Sequence, residues 1–357
     1  HDLSGVTATA SGAISKALRI DMGDANDRAI LQRDVTLTGN LTVNQGNFQI
    51  HSDDSETFEG GGFGSISNSN LTLDVPGNVA INSNGQITTG DANQRHQFDI
   101  EGDFTNNGTN TTSFTQRTSQ TVGSEASDGI VDVNFLNTSE DQSLVCNGPT
   151  NFYRIEIDKG NQSIELSIEG TSPGNFNLYG FANDGHGFTS QLTDNDNALG
   201  LISGAVRLGI NADVEPLNGG AGNYNVSETA SLIVDGAFVA KENGPAIVPY
   251  GNIEVISGTL VSAAGSGVTT RDNGNLKVQG GNVYISQFRT SVAGASAVGG
   301  YEQNGGNVTI GDFSGVVGPS GTSYSNSNPN GDYYTFSLTY SGNVFVMSGG
   351  ILNVTEP

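Results

Sequence analysis

The chain has 357 residues, of which 34 % are apolar, and its 37 acidic residues outnumber 13 basic ones to give a formal net charge of −24. Such an excess of carboxylates argues against a nucleic-acid backbone or an anionic membrane surface as partner, because both would be repelled. The single cysteine, Cys146, excludes an intrachain disulfide, and no apolar run is long enough to span a bilayer as a helix.

The first 33 residues lack the pattern that follows them. Residues 12–20, GAISKALRI, predict a short helix or an irregular cap. A repeat fold needs such an element to cover the open end of its core. We therefore assign residues 1–33 to an N-terminal cap or irregular segment.

From residue 34 onwards one short phrase recurs, in which Gly and Asn precede an apolar, a polar and an apolar residue. Its first copies begin at Gly39, Gly46 and Gly77. Each copy predicts a strand of about five residues with one buried and one solvated face. The Gly-Asn pair indicates a corner, since both residues tolerate positive φ.

The middle of the chain keeps the alternation of apolar and polar residues, but the residues that carry it are different. Residues 97–170 alternate throughout, whereas residues 171–250 are the least regular. This predicts either one continuous repeat fold or two abutting segments that meet near residues 171–200.

The last part of the chain carries the most regular copies. They begin at Gly251, Gly274, Gly281, Gly306 and Gly342. A repeat of this size predicts a solenoid, and a strand, a corner and a second strand make up most of one turn.

The fold class that follows is all-β: a right-handed parallel β-helix over residues 34–357, with an irregular N-terminal cap and inserted surface loops. The stretch from Gly311 to about Asp332, rich in Ser, Gly, Asn and Pro, is predicted to be one of those loops.

Several stretches resemble repeats of very large secreted surface proteins of Bacteroidota. They are GDFTNNGT at 102–109, FYRIEIDKG at 152–160, LISGAVRLG at 201–209 and YEQNGGNVTI at 301–310. These look like the β-helical parts of type IX-secreted adhesins, including gliding-motility adhesins. The resemblance implies export, display on the cell surface, and contact with secretion machinery and with the rest of a longer polypeptide.

Two classes of function remain open. The first is a non-catalytic structural and adhesive module that attaches an extracellular bacterial surface protein to surfaces or glycans. The second is a carbohydrate-active β-helix protein. It would be either an enzyme, namely a polysaccharide lyase or hydrolase, or a tailspike-like glycan-binding protein. No catalytic residue and no cofactor-binding residue is assigned, because charges are dispersed along the chain.

Calcium is the one candidate cofactor. Asp194 and Asp196 alternate with Asn in TDNDN, and Asp184 lies nearby. Alternating carboxylate and amide oxygens suit Ca²⁺, but no Glu closes the loop as in an EF-hand. A polar loop without metal is the competing interpretation.

Two other residue sets have structural and functional interpretations. Cys146 lies in an alternating segment, which predicts a buried structural thiol rather than a nucleophile. The tyrosines towards the end of the chain predict an aromatic ladder, with stacking on sugar rings as the alternative; they are Tyr284, Tyr301, Tyr333, Tyr334 and Tyr340.

Overall fold

The structure is a computed structural model, and every regular element in it is a β-strand. It describes residues 13–14, 17–31, 33–50, 70–90, 94–116, 129–180, 197–217, 222–241, 246–263, 267–291, 299–326, 336–338 and 342–355. No helix occurs in these ranges, and most strands belong to a large parallel sheet. The all-β prediction is therefore confirmed.

The strands are short and regularly spaced. Those up to residue 178 are β1 (Ala13–Ile14), β2 (Leu18–Asp21), β3 (Arg28–Leu31), β4 (Val35–Leu37), β5 (Leu41–Ile50), β6 (Thr72–Val75), β7 (Val79–Thr89), β8 (Arg95–Ile100), β9 (Phe104–Asn106), β10 (Thr112–Ser113), β11 (Ile130–Phe135), β12 (Gln142–Cys146), β13 (Thr150–Phe152), β14 (Arg154–Asp158), β15 (Glu165–Gly170) and β16 (Phe176–Leu178).

The strands beyond residue 198 are longer at first and then short again. They are β17 (Leu199–Leu208), β18 (Tyr224–Val226), β19 (Ala230–Lys241), β20 (Ile247–Pro249), β21 (Asn252–Ser262), β22 (Val268–Arg271), β23 (Asn275–Val278), β24 (Asn282–Ile285), β25 (Phe288–Ser291), β26 (Gly300–Gln303), β27 (Asn307–Ile310), β28 (Phe313–Val317), β29 (Ser323–Asn326), β30 (Phe336–Leu338), β31 (Val344–Met347) and β32 (Ile351–Val354).

The chain divides into two compact units. Unit 1 comprises residues 1–137, 142–156 and 170–194, and unit 2 comprises residues 138–141, 157–169 and 195–357.

In unit 1 the described strands pair in parallel as three stacks. One stack runs β1–β4–β6–β8–β11. A second joins β2, the first halves of β5 and β7, then β9 and β12. The third joins β3, the second halves of β5 and β7, then β10, β13 and β16.

The core of unit 1 is built from the inward residues of these stacks. A cluster of rings lies at its centre, with centroids 5.3–6.0 Å apart: Phe98, Phe104, Phe114, Phe152 and Phe176. The buried amide of Asn106 donates to Thr150 Oγ1 at 2.8 Å, which satisfies a polar group that burial would otherwise penalise.

Unit 2 also contains three parallel stacks, and the chain visits them in a repeating order. Stack A is β15–β17–β19–β21–β23–β26–β31. Stack B joins the second halves of β19 and β21 to β24, β27 and β32. Stack C is β18–β20–β22–β25–β30. From β21 to β27 the chain passes from A to B to C and returns to A one strand further along.

Glycine makes the corner between stacks A and B. Gly258, in the middle of β21, has φ +80°, and any Cβ there would overlap a backbone oxygen of β19. Among the described Gly-Asn copies, Gly46, Gly281 and Gly306 have φ of +92°, +67° and +69°, whereas φ is not positive at Gly39, Gly77, Gly251 and Gly274. The predicted left-handed corner is therefore found in some of the copies only, where glycine adopts positive φ at little steric cost.

Two local predictions differ from the structure. Residues 18–21, at the end of the stretch predicted to be a short helix or an irregular cap, form strand β2, which pairs in parallel with β5. Residues 28–31 form strand β3, which also pairs in parallel with β5. The predicted loop after Gly311 contains an antiparallel hairpin, β28–β29. Its Phe313 and Tyr324 are buried against Ala240 and Val261, so apolar burial orders a segment whose composition indicated a loop.

Candidate binding cleft

The outward side chains of stack A form two rows that run across the strands of unit 2. In β21, Ile253 and Val255 are fully buried, and the alternation places Asn252 and Glu254 on the other face. Parallel register then aligns the same positions of successive strands. The first row is Glu165, Ala205, Ser231, Asn252, Asn275 and Gly300, and the second is Ser167, Arg207, Ile233, Glu254, Lys277 and Glu302.

All residues of these rows except Ser167 and Gly300 line a cleft of about 720 Å³. Residues from the loops beside β15 complete its wall, namely Asp141, Gln162 and Ser163. Most of the lining side chains carry amide, hydroxyl, carboxylate or cationic groups, and none of them is aromatic. The cleft therefore offers hydrogen bonds and charge to a ligand, with Ile233 as a small apolar part of its surface.

Arg207 is the most extensively paired charge in the cleft. Its Nε and Nη2 donate to Glu165 Oε1 and Oε2 at 2.8 and 3.0 Å, and Nη1 donates to Asp235 Oδ2 at 3.0 Å. The hydrogen bonds that Arg207 donates to Glu165 are the main reason that the pKa of Arg207 is raised further above its usual range. Arg207 is thus a permanent cation that positions two carboxylates, and it cannot serve as a general base.

A second ion pair lies further along the same row. Lys277 Nζ is 3.2 Å from Glu254 Oε1, and Glu254 also accepts a hydrogen bond from Gln279 Nε2. The Lys277 and Glu254 side chains are 36 % and 23 % exposed, so the pair is partly screened by water.

A run of amides connects the wall to the rows. Asn252 Nδ2 donates to Gln162 Oε1 at 2.6 Å, and Gln162 Nε2 donates to the carbonyl oxygen of Glu228 at 2.6 Å. Asn275 Nδ2 continues the run and donates to Asn252 Oδ1 at 3.4 Å. These bonds hold Gln162 beside strands that lie far from it in sequence.

The candidate calcium ligands Asp184, Asp194 and Asp196 lie outside the described residues. Within the described ranges, no group of three or more His, Cys, Asp or Glu side chains is arranged to hold a metal ion. The same ranges contain no helix that is long and apolar enough to cross a membrane.

Cys146 and the described tyrosines lie in structural environments. Cys146 is fully buried at the end of β12, and burial raises its pKa to about 12. Tyr301 is buried and stacks on Phe345, with ring centroids 5.5 Å apart. Tyr284 packs on Phe313 at 5.7 Å. Of the other predicted tyrosines, residues 333, 334 and 340 are outside the described ranges.

The cleft residues were not singled out by the sequence. Glu254, Lys277 and Glu302 each occupy the polar position of an alternating strand, which by itself indicates a solvated face. Their alignment depends on the register between strands more than twenty residues apart. The recurrence of the Gly-Asn phrase indicates that register only for β21 and β23, where Asn252 and Asn275 are partners.

Comparison of the chain with protein-family models, with curated proteins and with solved structures finds no match. Its function is therefore argued from the cleft and from the strand arrangement.

Proposed function

We propose that this protein is a non-catalytic structural and adhesive module of a secreted bacterial surface protein, and that it attaches to glycans through the cleft of unit 2. The observation that carries the proposal is the cleft itself, with its two aligned rows of polar side chains. The resemblance of the repeats to type IX-secreted adhesins supplies the cellular context, which is the bacterial surface.

A glycan suits this cleft because of its shape and its chemistry. The rows cross successive strands about 4.8 Å apart, so they present similar groups at a regular repeat along one direction. A polysaccharide also repeats its hydroxyl groups along one direction. Asn252, Asn275, Ser163 and Ser231 offer the amide and hydroxyl groups that hydrogen-bond sugar hydroxyls.

We further propose that the strands form a right-handed parallel β-helix. The support is the repeating order in which the chain visits stacks A, B and C in unit 2, which is the path of a coil. The crossover rule for parallel strands favours the right-handed path.

A polysaccharide lyase or hydrolase is the alternative, because the cleft contains carboxylates and such groups can take part in catalysis. Acid–base hydrolysis needs two carboxyl groups with different protonation states. In the cleft, however, Glu165 is held in a bidentate ion pair with Arg207, and Glu254 is held by Lys277. Both of these carboxylates are thus already engaged by a cation of the protein.

The test combines binding and turnover on a panel of neutral, cationic and anionic polysaccharides. We expect at least one of them to bind the wild-type protein reversibly, with no new reducing ends and no unsaturated products. The variant Asn275→Trp places a large ring over the cleft and should abolish binding. Asn282→Trp is the matched control, since Asn282 has the same place in its Gly-Asn phrase but does not line the cleft.

Absence of binding to every polysaccharide would refute the proposal. Release of products would favour the enzyme, and equal losses in the two Trp variants would show that the cleft is not the site.

A further inference from the structure

Two carboxylates of the cleft form no ion pair within the described residues, and they lie at its opposite ends. Asp141 Oδ1 accepts the backbone N–H of Glu165 at 2.7 Å, which places it beside β15. Glu302 Oε1 accepts Asn304 Nδ2 at 2.7 Å on β26. Neither carboxylate forms an ion pair with any cation in the described part of the chain.

Each of the two cations of the cleft is ion-paired with a different carboxylate, although Lys277 is the register partner of Glu302 on the neighbouring strand. Arg207 is paired with Glu165 and Asp235, and Lys277 is paired with Glu254. Four carboxylates and two cations line the cleft, so negative charge remains, and it is located at the two ends. The protein as a whole adds to it with its net charge of −24.

From this charge arrangement we infer that the ligand is an oligosaccharide of amino sugars that carry free ammonium groups. The inference rests on the proposed glycan attachment and specifies its substrate class. Ammonium groups near the two ends of the ligand pair with Asp141 and Glu302, and the hydroxyl groups between them bond to the amides and Ser side chains. A uronate chain is repelled by the same carboxylates.

The dimensions agree with an oligomer rather than with a single sugar. Six strands of stack A line the cleft, from β15 to β26. Five steps of about 4.8 Å separate the first strand from the last, which gives a length of roughly 24 Å. Several sugar rings in an extended chain fill that length, and a monosaccharide reaches only one of the two carboxylates.

The experiment is isothermal titration of the full chain with four probes: a glucosamine hexamer, its fully N-acetylated counterpart, a galacturonate hexamer and a lysine hexamer. We expect the glucosamine hexamer to bind most tightly, the acetylated hexamer to bind more weakly, and the galacturonate hexamer not to bind. The affinity for the glucosamine hexamer should fall as the salt concentration rises, because exposed charge pairs are screened.

Two variants remove the charges and keep the hydrogen-bond acceptors. Glu302→Gln and Asp141→Asn should each weaken glucosamine-hexamer binding about two- to fivefold, and binding of the acetylated hexamer should be weakened less. Glu169→Gln is the control, since Glu169 is an exposed carboxylate on β15 that does not line the cleft.

The outcomes separate this inference from the proposed function. Equal affinity for the glucosamine and acetylated hexamers, with no effect of either variant, would overturn the inference and leave glycan attachment standing. Equally tight binding of a lysine hexamer would overturn it as well, because the site would then recognise charge alone. If no polysaccharide binds at all, both proposals fail.

Discussion

Phe152 offers a quantitative test of the packing in unit 1. Its ring is fully buried and lies 5.3 Å from Phe114, 5.6 Å from Phe176 and 6.0 Å from Phe104. Phe152→Ala removes the buried ring and leaves a cavity, and such changes cost about 3–5 kcal/mol. Phe152→Leu keeps most of the apolar volume but loses three ring pairs, each worth about 0.5–1.5 kcal/mol. We expect losses of about 4 and about 2 kcal/mol in the free energy of unfolding.

The assay is equilibrium unfolding in urea, followed by far-ultraviolet circular dichroism because the chain has no tryptophan. Asn151→Ala is the control on the same strand. It removes one half-buried hydrogen bond, from Asn177 Nδ2 at 3.0 Å, and should cost only about 0.5–1.5 kcal/mol. A loss below about 1.5 kcal/mol for Phe152→Ala, or one no larger than that of the control, would refute the packing described for this unit.

Three further changes test single features. Gly258→Ala should lower the free energy of unfolding by at least about 2 kcal/mol, because φ is +80° and the new methyl group overlaps a backbone oxygen. Gly174→Ala is the control, since Gly174 has the same φ but no atom lies within 4 Å of the added methyl group, and it should cost about 1 kcal/mol. Equal losses in the two variants would contradict the overlap. Tyr324→Phe leaves Glu215 without a 2.8 Å hydrogen bond and should expose the β28–β29 hairpin to faster proteolysis, and an unchanged rate would show that this bond does not hold it. Burial lowers the pKa of Lys241 to about 8 from 10.5, so between these pH values the unfolded chain binds more protons than the folded chain, and the free energy of unfolding should rise with pH. Lys241→Met should lack this rise. If the free energy of unfolding depends on pH in the same way in both proteins, the interpretation is contradicted.

The strands were largely predictable from the sequence, because each depends on a local pattern. In β21, β23, β24 and β27 the apolar–polar–apolar phrase gives buried and outward residues in the predicted order. The Gly-Asn corner is local as well, since positive φ at Gly281 and Gly306 depends on the residue type.

Features that depend on contacts between distant residues were not predictable. The β28–β29 hairpin is ordered by burial of Phe313 and Tyr324 against residues more than fifty positions earlier, and its composition gives no sign of this. The same holds for strand β2, whose partner β5 supplies the hydrogen bonds that a helix would have made internally.

The cleft was missed for a related reason. Arg207, Glu165 and Asp235 come from three different strands, and their contact follows from tertiary register. Sequence reasoning favoured Asp184, Asp194 and Asp196 because they are close in the chain. Proximity in sequence is a useful guide for loop sites that bind calcium, but it cannot find a site built across the strands of a sheet.

The most direct test of the account is a register measurement by disulfide formation, because the cleft exists only if successive strands of stack A are aligned as described. Ser231 and Asn252 are register partners on β19 and β21, so their Cα atoms lie about 4.8 Å apart, within disulfide range. Ser231 and Glu254 are offset by two residues, and their Cα atoms lie about 8 Å apart, which is too far.

Each pair is replaced by cysteines, and the bridge is quantified by peptide mass spectrometry after mild oxidation. The native Cys146 should not interfere, because it is buried and its pKa is raised to about 12. The described register predicts efficient bridging in the Ser231→Cys/Asn252→Cys variant and little in the Ser231→Cys/Glu254→Cys variant. The opposite preference, or equal bridging in both, would contradict the aligned rows on which the cleft and its proposed function depend.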